Sequence, residues 1–555
     1  MSGTAARSTP PQLRAPSEDG AAVIAPPPGA LDRVLAENGA IRERWRYDVQ
    51  GRSLAELARE ARAELLDAAH AYTRQYRDAP VPSDAATAEI FLAGHQPELF
   101  HPGVWLKNFA LGTLARSWGA VAVNLLIDND TVKGTSLKVP TGDAEAPRLV
   151  SVPFDRAGAP VPYEERPIAD AELFHSFGSR AADAVRSLVP DPMVARFWPL
   201  VCRRASALGN LGLSLAQARH IQEGRWGLET LEVPQSRVCA ARSFRWFAVH
   251  LLAQLPRFRR EYNEAVAHYR RRHGVRSAAH PFPELAKKDG WLEAPFWVWT
   301  TANPRRRPLF AAHRQGGVVI SDGESVEVEL PVTPDGDAAA AVERLGALES
   351  SGVRIRSRAL TTTLWGRLAL SDLFVHGIGG AKYDEVTDRL FERFLGLAAP
   401  RLMVVSGTLL LPVRAPDASP DEQRELKQRL WQLRHHPECF LQEPTRDEPG
   451  ACGEAERWIA EKRRWIETPQ TPENARRRCR AIREINQALQ PCVSGQRVRA
   501  AERLHALDRA SEAARVLRWR EYSFCLHPED SLRHFLDRAL AQPGATCSDR
   551  LTVVR

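Results

Sequence analysis

The chain has 555 residues, room for three or four domains at roughly 100–200 residues each, and its 44% apolar composition is that of a globular protein with a substantial core. Its 76 basic and 68 acidic residues leave a net charge of +8, with no segment that concentrates the excess as a nucleic-acid-binding arm would. No apolar run approaches the ~20 residues that span a bilayer. The N-terminus lacks the basic-then-apolar order of a secretory signal, and eight scattered cysteines without a CxxC pair exclude a zinc ribbon, a redox dithiol and a disulfide scaffold; a reducing, cytoplasmic location is expected.

Only eight of the basic residues are lysines, at 107, 133, 138, 287, 288, 382, 427 and 462. A chain so biased toward arginine is expected to keep lysine where a compact ammonium is needed.

In chain order, residues 1–30 carry six prolines among Ala, Ser and Thr and read as a disordered tail. Residues 31–164 read as N-terminal helices followed by the first half of a Rossmann-like core. Ser53-Leu54-Ala55-Glu56 is a capping box that opens a helix to about Tyr76. Glu89 to Ala93 is a buried strand, Gly94 to Gly103 a polar loop, Val104 to Trp118 a helix, and Ala120 to Ile127 a second strand. Strand, helix, strand in this order predicts a parallel pair with a right-handed crossover, and ligands at the carboxyl ends of the strands. Residues 165–335 read as a helical, connecting insertion: 165–275 is mostly helical, with one long run over 240–272, and 280–335 is rich in Trp and Pro, with short strands at 317–321 and 326–331. Residues 336–420 supply the second Rossmann half: strand 372–375, a glycine-rich loop, a helix from Tyr383, and a strand over 401–406. Residues 421–518 form a charged, coiled-coil-like helical domain without a clean heptad, and 519–555 a C-terminal helix that returns to the core. The fold class is therefore α/β: a Rossmann-like parallel sheet with helical insertions and a C-terminal helical domain.

Three loops carry chemistry. In the first, Gly94-His95-Gln96-Pro97-Glu98-Leu99-Phe100-His101-Pro102-Gly103, two imidazoles and an amide precede a helix N-terminus, where free N–H groups favour an anion; Lys107 follows one turn into the helix. His101 is equally readable as a loop cap. In the second, Asp128-Asn129-Asp130 ends a strand, with Thr131, Lys133 and Lys138 after it; paired carboxylates hold a cation or an amine, act as a base, or form a turn. A di-histidine, di-aspartate metal site is conceivable, but no metal-ligand spacing supports one. In the third, His376-Gly377-Ile378-Gly379-Gly380-Ala381-Lys382, strand context lends weight to a glycine loop that admits a ligand to the backbone while Lys382 supplies charge. The tryptophans at 291, 297 and 299 read as core or pocket wall, and Arg305-Arg306-Arg307 as a solvated charge run.

Together these loops resemble bacillithiol synthase, the cysteine-adding enzyme family of bacillithiol biosynthesis. Where that family has Thr-Gly-Gln-Gln-x-Gly-Leu-Phe, this chain has Ala93-Gly94-His95-Gln96-Pro97-Glu98-Leu99-Phe100. Where the family has Glu-Asp-His-Asp, it has Ile127-Asp128-Asn129-Asp130. Where the family has Phe-Val-Gly-Gly-Pro-Gly-Glu, it has Phe374-Val375-His376-Gly377-Ile378-Gly379-Gly380. The resemblance implies a Rossmann core, a helical domain used for homodimerisation, and a ligase that joins a cysteine carboxylate to a sugar amine with nucleotide activation, ATP being one such nucleotide. It implies catalytic roles for His95, Gln96, His101, Asp128 and Asp130. It implies small-molecule binding by Gly94, Lys107, Asn129, Lys133, His376, Gly377, Gly379, Gly380 and Lys382. The chain departs from the family at His95, at Asn129 and in the loss of the glycine-loop Glu. These changes add cationic groups and remove a carboxylate, so the fold and site location are expected to carry over further than the substrate. The alternatives are another Rossmann-type nucleotide- or phosphometabolite-binding enzyme, such as a nucleotidyl transferase, and a non-catalytic protein that kept the pocket.

Overall fold

The computed structural model describes residues 14–79, 88–441 and 454–541. These fall into two compact units. The larger holds the chain up to Val139, Val150–Pro412 and the chain from Arg520; the smaller holds Pro140–Leu149 and Val413–Trp519.

The larger unit is organised by a six-stranded sheet of β1 (Ala21–Ala25), β2 (Ile90–His95), β3 (Val121–Leu126), β4 (Leu231–Pro234), β5 (Leu373–His376) and β6 (Leu402–Thr408). Its spatial order is β1-β6-β5-β2-β3-β4. All pairs from β6 to β4 are parallel, and β1 closes the β6 edge antiparallel, with Ala21 opposite Thr408. Counted along the chain, the five parallel strands run 3-2-1-4-5, the Rossmann order. The apolar runs that make β2 and β3 are buried throughout at Ile90–Ala93 and Val121–Leu126, as strands covered on both faces must be.

Four helices place the functional loops. α1 (Leu54–Thr73) starts at the expected cap, where Ser53 accepts from the Glu56 amide. α2 (Pro102–Trp118) has Pro102 in its first turn and ends at Gly119 in the left-handed region, φ 76°. α3 (Leu211–Arg225) precedes β4. α4 (Ile378–Leu390) follows β5, and its Val386 and Leu390 share a buried cluster with Leu57 and Leu65 of α1, Ile90 and Leu92 of β2, and Phe374 of β5. α2 packs on the other face, its Trp105 against Phe524 and Trp226. The chain thus leaves β2 toward one face of the sheet and leaves the adjacent β5 toward the opposite face.

Several expectations are corrected. Part of the supposed tail is ordered: residues 21–25 are strand β1, held by five residue pairs with β6; residues 1–13 lie outside the described residues, as do Cys452, Cys547 and residues 542–555 of the C-terminal segment. The insertion is largely helical over 171–273 but holds more strand than the two short ones expected. It contains β4, a member of the core sheet too short to show a period, and most of an antiparallel sheet of Glu327–Leu330, Gly317–Ser321, Asn303–Arg314, Trp291–Thr300 and Val353–Ser357. The long strands at 291–300 and 303–314 were hidden by Pro295, Pro304 and Pro308; register shifts between Glu293 and Trp297 and between Val298 and Thr300 accommodate them. The run over 240–272 is two helices, Arg242–Ala253 and Leu255–His273, parted ahead of Pro256. α4 begins at Ile378, not Tyr383, so the glycine-rich stretch is mostly its first turn. Among the described residues no helix is long and apolar enough to cross a membrane.

The smaller unit consists mainly of helices Pro420–His435, Ala455–Glu467, Ala475–Ala488 and Ser494–Leu517. Its cores are small, Leu433 with Val493 and Ala500, and Ala455 with Ile485 and Leu489. Lys462, a buried lysine, donates to Glu438 at 2.6 Å and to the His435 carbonyl at 2.9 Å.

At the amino end of β5, the end opposite its glycine-rich loop, Asp372 ties the layers together. Its carboxylate accepts from Arg62 at 2.5 and 3.1 Å, from Arg42 at 3.2 Å and from the Ile90 amide at 2.8 Å. Burial raises the carboxyl pKa, but Arg62 and Arg42 outweigh it and hold it below the ordinary carboxylate value. A depressed carboxylate contributes stability that is present above its unfolded pKa, ~4, and lost as pH falls through the folded pKa. Asp372→Asn is expected to cost about 2–3 kcal/mol at pH 7 and to flatten the acid limb of stability below pH ~4, which urea unfolding across that range measures.

Candidate functional site

Parallel strands carry their ligands outside their carboxyl ends, at the point where neighbouring crossovers diverge. Here that point lies between β2 and β5, where Ala93 pairs Val375 and the strands end at His95 and His376. Alternation of the backbone decides which way each carbonyl points. The Asp372 amide donates to the Ile90 carbonyl on the β5 side, and the Ile127 amide to the His95 carbonyl on the β3 side. The Gly94 carbonyl, in phase with Ile90, therefore points toward β5. Lys107 Nζ sits on it, at 2.5 Å. Lys107 reaches this place because it lies in the second turn of α2, and its side chain leans back toward the helix N-terminus.

Lys107 is 3% exposed, and burial, aided by Arg219, pulls its ammonium down to about 7. His95 and His376 are held neutral, each down to about 3, first by burial; Lys107 adds to both, as does Arg367 to His376. A carbonyl only accepts, so the 3.0 Å contact from His95 Nδ1 to the Gln96 carbonyl puts the proton on Nδ1 and leaves a lone pair on Nε2. His101 is the N-cap of α2: its Nδ1 accepts from the Gly103 amide at 3.1 Å, and burial lowers its pKa to about 4. That is the cap reading, with the ring turned to the helix.

The aspartate loop divides. Asp128 is buried and accepts from the Ser236 amide at 2.9 Å and its hydroxyl at 2.5 Å, which fixes the start of the helix after β4. Asn129 is buried and donates to the Ser357 carbonyl at 2.8 Å. Both are structural. Asp130 instead faces the first loop: Gln96 Nε2 donates to Oδ2 at 3.0 Å, and Arg306 and the Thr131 amide to Oδ1, each at 2.9 Å. Burial raises this carboxyl, and these donors more than reverse it. Because a carboxylate only accepts, Gln96 turns its amide nitrogen to Asp130 and its oxygen elsewhere. Lys133 is exposed, 4.0 Å from Glu98. Among the described residues, His95, His101, Asp128 and Asp130 do not gather into a metal-ligand group.

In the third loop, Gly377 is the N-cap of α4 with no side-chain cap. A Cβ on Gly377 or Gly379 would meet nothing within 4 Å, whereas one on Gly380 would lie 2.4 Å from His376 Nδ1. Gly380 is therefore the space His376 occupies. His376 Nε2 has no hydrogen-bond partner and lies 3.6 Å from Asp384, which is bound to Arg367 at 2.6 Å. Lys382 is exposed and does not join this group.

Sequence reading missed three contributors. Arg306, taken for a solvated charge, bonds Asp130 and stacks 4.4 Å from the Trp297 centroid, with Arg358 at 4.0 Å from the same ring. The alternation of Trp297 and Trp299 with apolar neighbours was the signal for that strand. Arg367 and Asp384 flank His376. Beneath the first loop, Arg219 joins Glu223 at 2.6 Å and also pairs with Glu232; Glu223 accepts from Trp105 at 2.6 Å and Asn108 at 2.9 Å, and Tyr76 bonds His220 at 2.7 Å. His220, Glu223 and Glu232 are close enough to share a metal. Arg219 already supplies the countercharge between the two carboxylates, and burial keeps His220 neutral, so the set fits a structural ion network rather than a metal.

No protein-family model matches this chain, and no curated protein matches it. Among solved structures it is similar to the crystal structure of tyrosyl-tRNA synthetase from Aeropyrum pernix, at 10% identity over 86% of this chain and 100% of that one, with a TM-score of 0.19. A likeness this slight carries no argument. The fold assignment rests on strand order and direction.

Two expected outcomes test the geometry. With [13Cε]lysine, the protein gives eight lysine signals; that of Lys107 should titrate near pH 7, losing its proton as pH rises. Gly380→Ala should displace His376 and cost about 1–3 kcal/mol, whereas Gly379→Ala, with open space, should be neutral or stabilising by up to about 1 kcal/mol. Thermal denaturation compares them.

Proposed function

We propose that the crevice between β2 and β5 is the active site of an amide-forming ligase, one that joins an amino-acid carboxylate, such as that of cysteine, to the amine of a sugar-type acceptor. The observation that supports this reading is the meeting of the three loops of the bacillithiol-synthase resemblance. They are separated by as much as 280 residues or so, and they end the adjacent strands β3, β2 and β5. A carboxylate is a poor acylating group, so the reaction needs an activating phosphoryl or nucleotidyl donor such as ATP. Transfer to the carboxylate oxygen gives a mixed anhydride, and the amine then displaces the phosphate-bearing leaving group. The Gln96 amide oxygen and His95 Nε2 present acceptors to the amine protons. The uncapped amino end of α4 offers N–H groups to anionic oxygens. Asp130 and Arg306 fix the Gln96 amide.

The test is direct. Purified protein, L-cysteine, an amino sugar and Mg-ATP are incubated, and mass spectrometry looks for the amide, lighter than its components by one water. Gln96→Ala is expected to lower kcat/KM about 10–100-fold without unfolding the protein. ATP turnover with transfer of a nucleotidyl group and no amide would favour the second reading, nucleotidyl transfer.

A homodimer through the helices of 421–518 belongs to the same proposal. What supports it is exposed apolar area on that unit: Trp431, Ile466 and Val498 are each at least half exposed. Sedimentation at micromolar concentration should give twice the chain mass, and Trp431→Glu with Val498→Glu should shift it toward monomer.

A further inference from the structure

We propose that Lys107 is the anchor for an oxyanion, the carboxylate or phosphate group of the ligand that enters between β2 and β5. The inference rests on the reading of that crevice as the active site and deepens it by naming the chemistry its floor selects.

An ammonium has three N–H donors. Among the described residues Lys107 donates to the Gly94 carbonyl alone, so two remain unspent, on a side chain 3% exposed. No carboxylate pairs with it. A buried cation without a counterion is costly, and proteins keep one where a ligand supplies the missing charge. Its neighbours do not supply it: His95 and His376 are neutral, and the carboxylates of Glu223, Glu232, Asp384 and Asp388 are already paired with Arg219 and Arg367. The place is also right. The Gly94 carbonyl points toward β5, so Nζ lies at the switch point itself, beside a helix whose first turn carries no side-chain cap. Finally, this chain uses arginine for all but eight of its 76 basic residues. A compact ammonium fits 2.5 Å from a strand carbonyl between two imidazoles, and a planar guanidinium fork does not.

The experiment uses the full chain labelled with [13Cε]lysine, with the Lys107 signal assigned from Lys107→Met. Sodium orthophosphate and sodium acetate are titrated separately at constant ionic strength, and L-cysteine after them. The expected result is a saturable shift of the Lys107 signal with no comparable shift at the other seven. The arm that saturates at lower concentration tells whether phosphate or carboxylate is the preferred group. By calorimetry, Lys107→Met should weaken that binding about 10–100-fold, while Lys382→Met leaves it unchanged. If Lys107→Met does not fold, the wild-type titration still decides, with Lys107 then assigned as the signal that titrates near pH 7. A Lys107 signal unmoved by either anion at saturation of the protein, or wild-type affinity in Lys107→Met, overturns the proposal. The two readings fail separately. Anion binding at Lys107 without amide formation overturns the ligase alone, and amide formation undiminished in Lys107→Met overturns the anchor alone.

Discussion

The site depends on one constraint of chain topology. β2 and β5 lie side by side and point the same way, yet their crossovers leave to opposite faces of the sheet. Parallel strands connected in the right-handed sense allow this only where the strand order reverses. The chain therefore leaves the ends of β2 and β5 in opposite directions. Around these strand ends lie a buried ammonium on the Gly94 carbonyl, a glycine-rich helix start after β5, and an acid-amide pair at the next strand along.

Buried charge is the second theme. The layer below the first loop holds Arg219 between Glu223 and Glu232, and the inserted sheet is joined to the segment after β3 by Arg356, which bonds both Glu164 and Glu349 at 2.9–3.0 Å. Such groups seldom add net stability over apolar ones of the same shape, but they permit few arrangements. Arg219 also lies 5.8 Å from the ring of Phe100 in the first loop, and Arg356 holds the sheet that carries Arg306 and Trp297. Lys107 is the exception in this network, because it is buried without a carboxylate.

Much of the core was legible in the sequence because its strands are fully buried and its helices are capped by local chemistry. Ile90–Ala93 is apolar throughout and Val121–Leu126 is apolar but for Asn124, and Ser53 with Glu56 writes the start of α1 into four residues. The location of the site followed from the same signals, since a loop at the end of a parallel strand is a ligand loop whatever its residues. The roles within it were less legible. Asp128, Asn129 and Asp130 look alike in sequence, but their partners Ser236, Ser357 and Arg306 lie 108, 228 and 176 residues away, and only folding separates the two structural members from the one that faces the crevice. His101 was undecided because a cap and a ligand contact use the same nitrogen. In the inserted sheet the short strands at 317–321 and 326–331 were legible, but the long strands at 291–300 and 303–314 were not, because proline interrupts the alternation that marks a strand. Lys382 and Lys107 were equally plausible by composition, and helical phase alone puts one in water and the other in the interior.

The short strand at Ala21–Ala25 has a bearing on how this protein can be handled. Among the described residues it is the strand that pairs with the outer edge of β6, whose residues Met403–Thr408 are buried. An uncovered edge of that kind offers a row of unpaired amides and carbonyls to the edge of any other molecule. Trimming the proline-rich leader back to the start of α1's region would therefore convert a shielded sheet into a self-adhesive one. Losses of recovery on such truncation would report intermolecular strand pairing rather than damage to the candidate site, which lies beyond the two intervening strands β6 and β5.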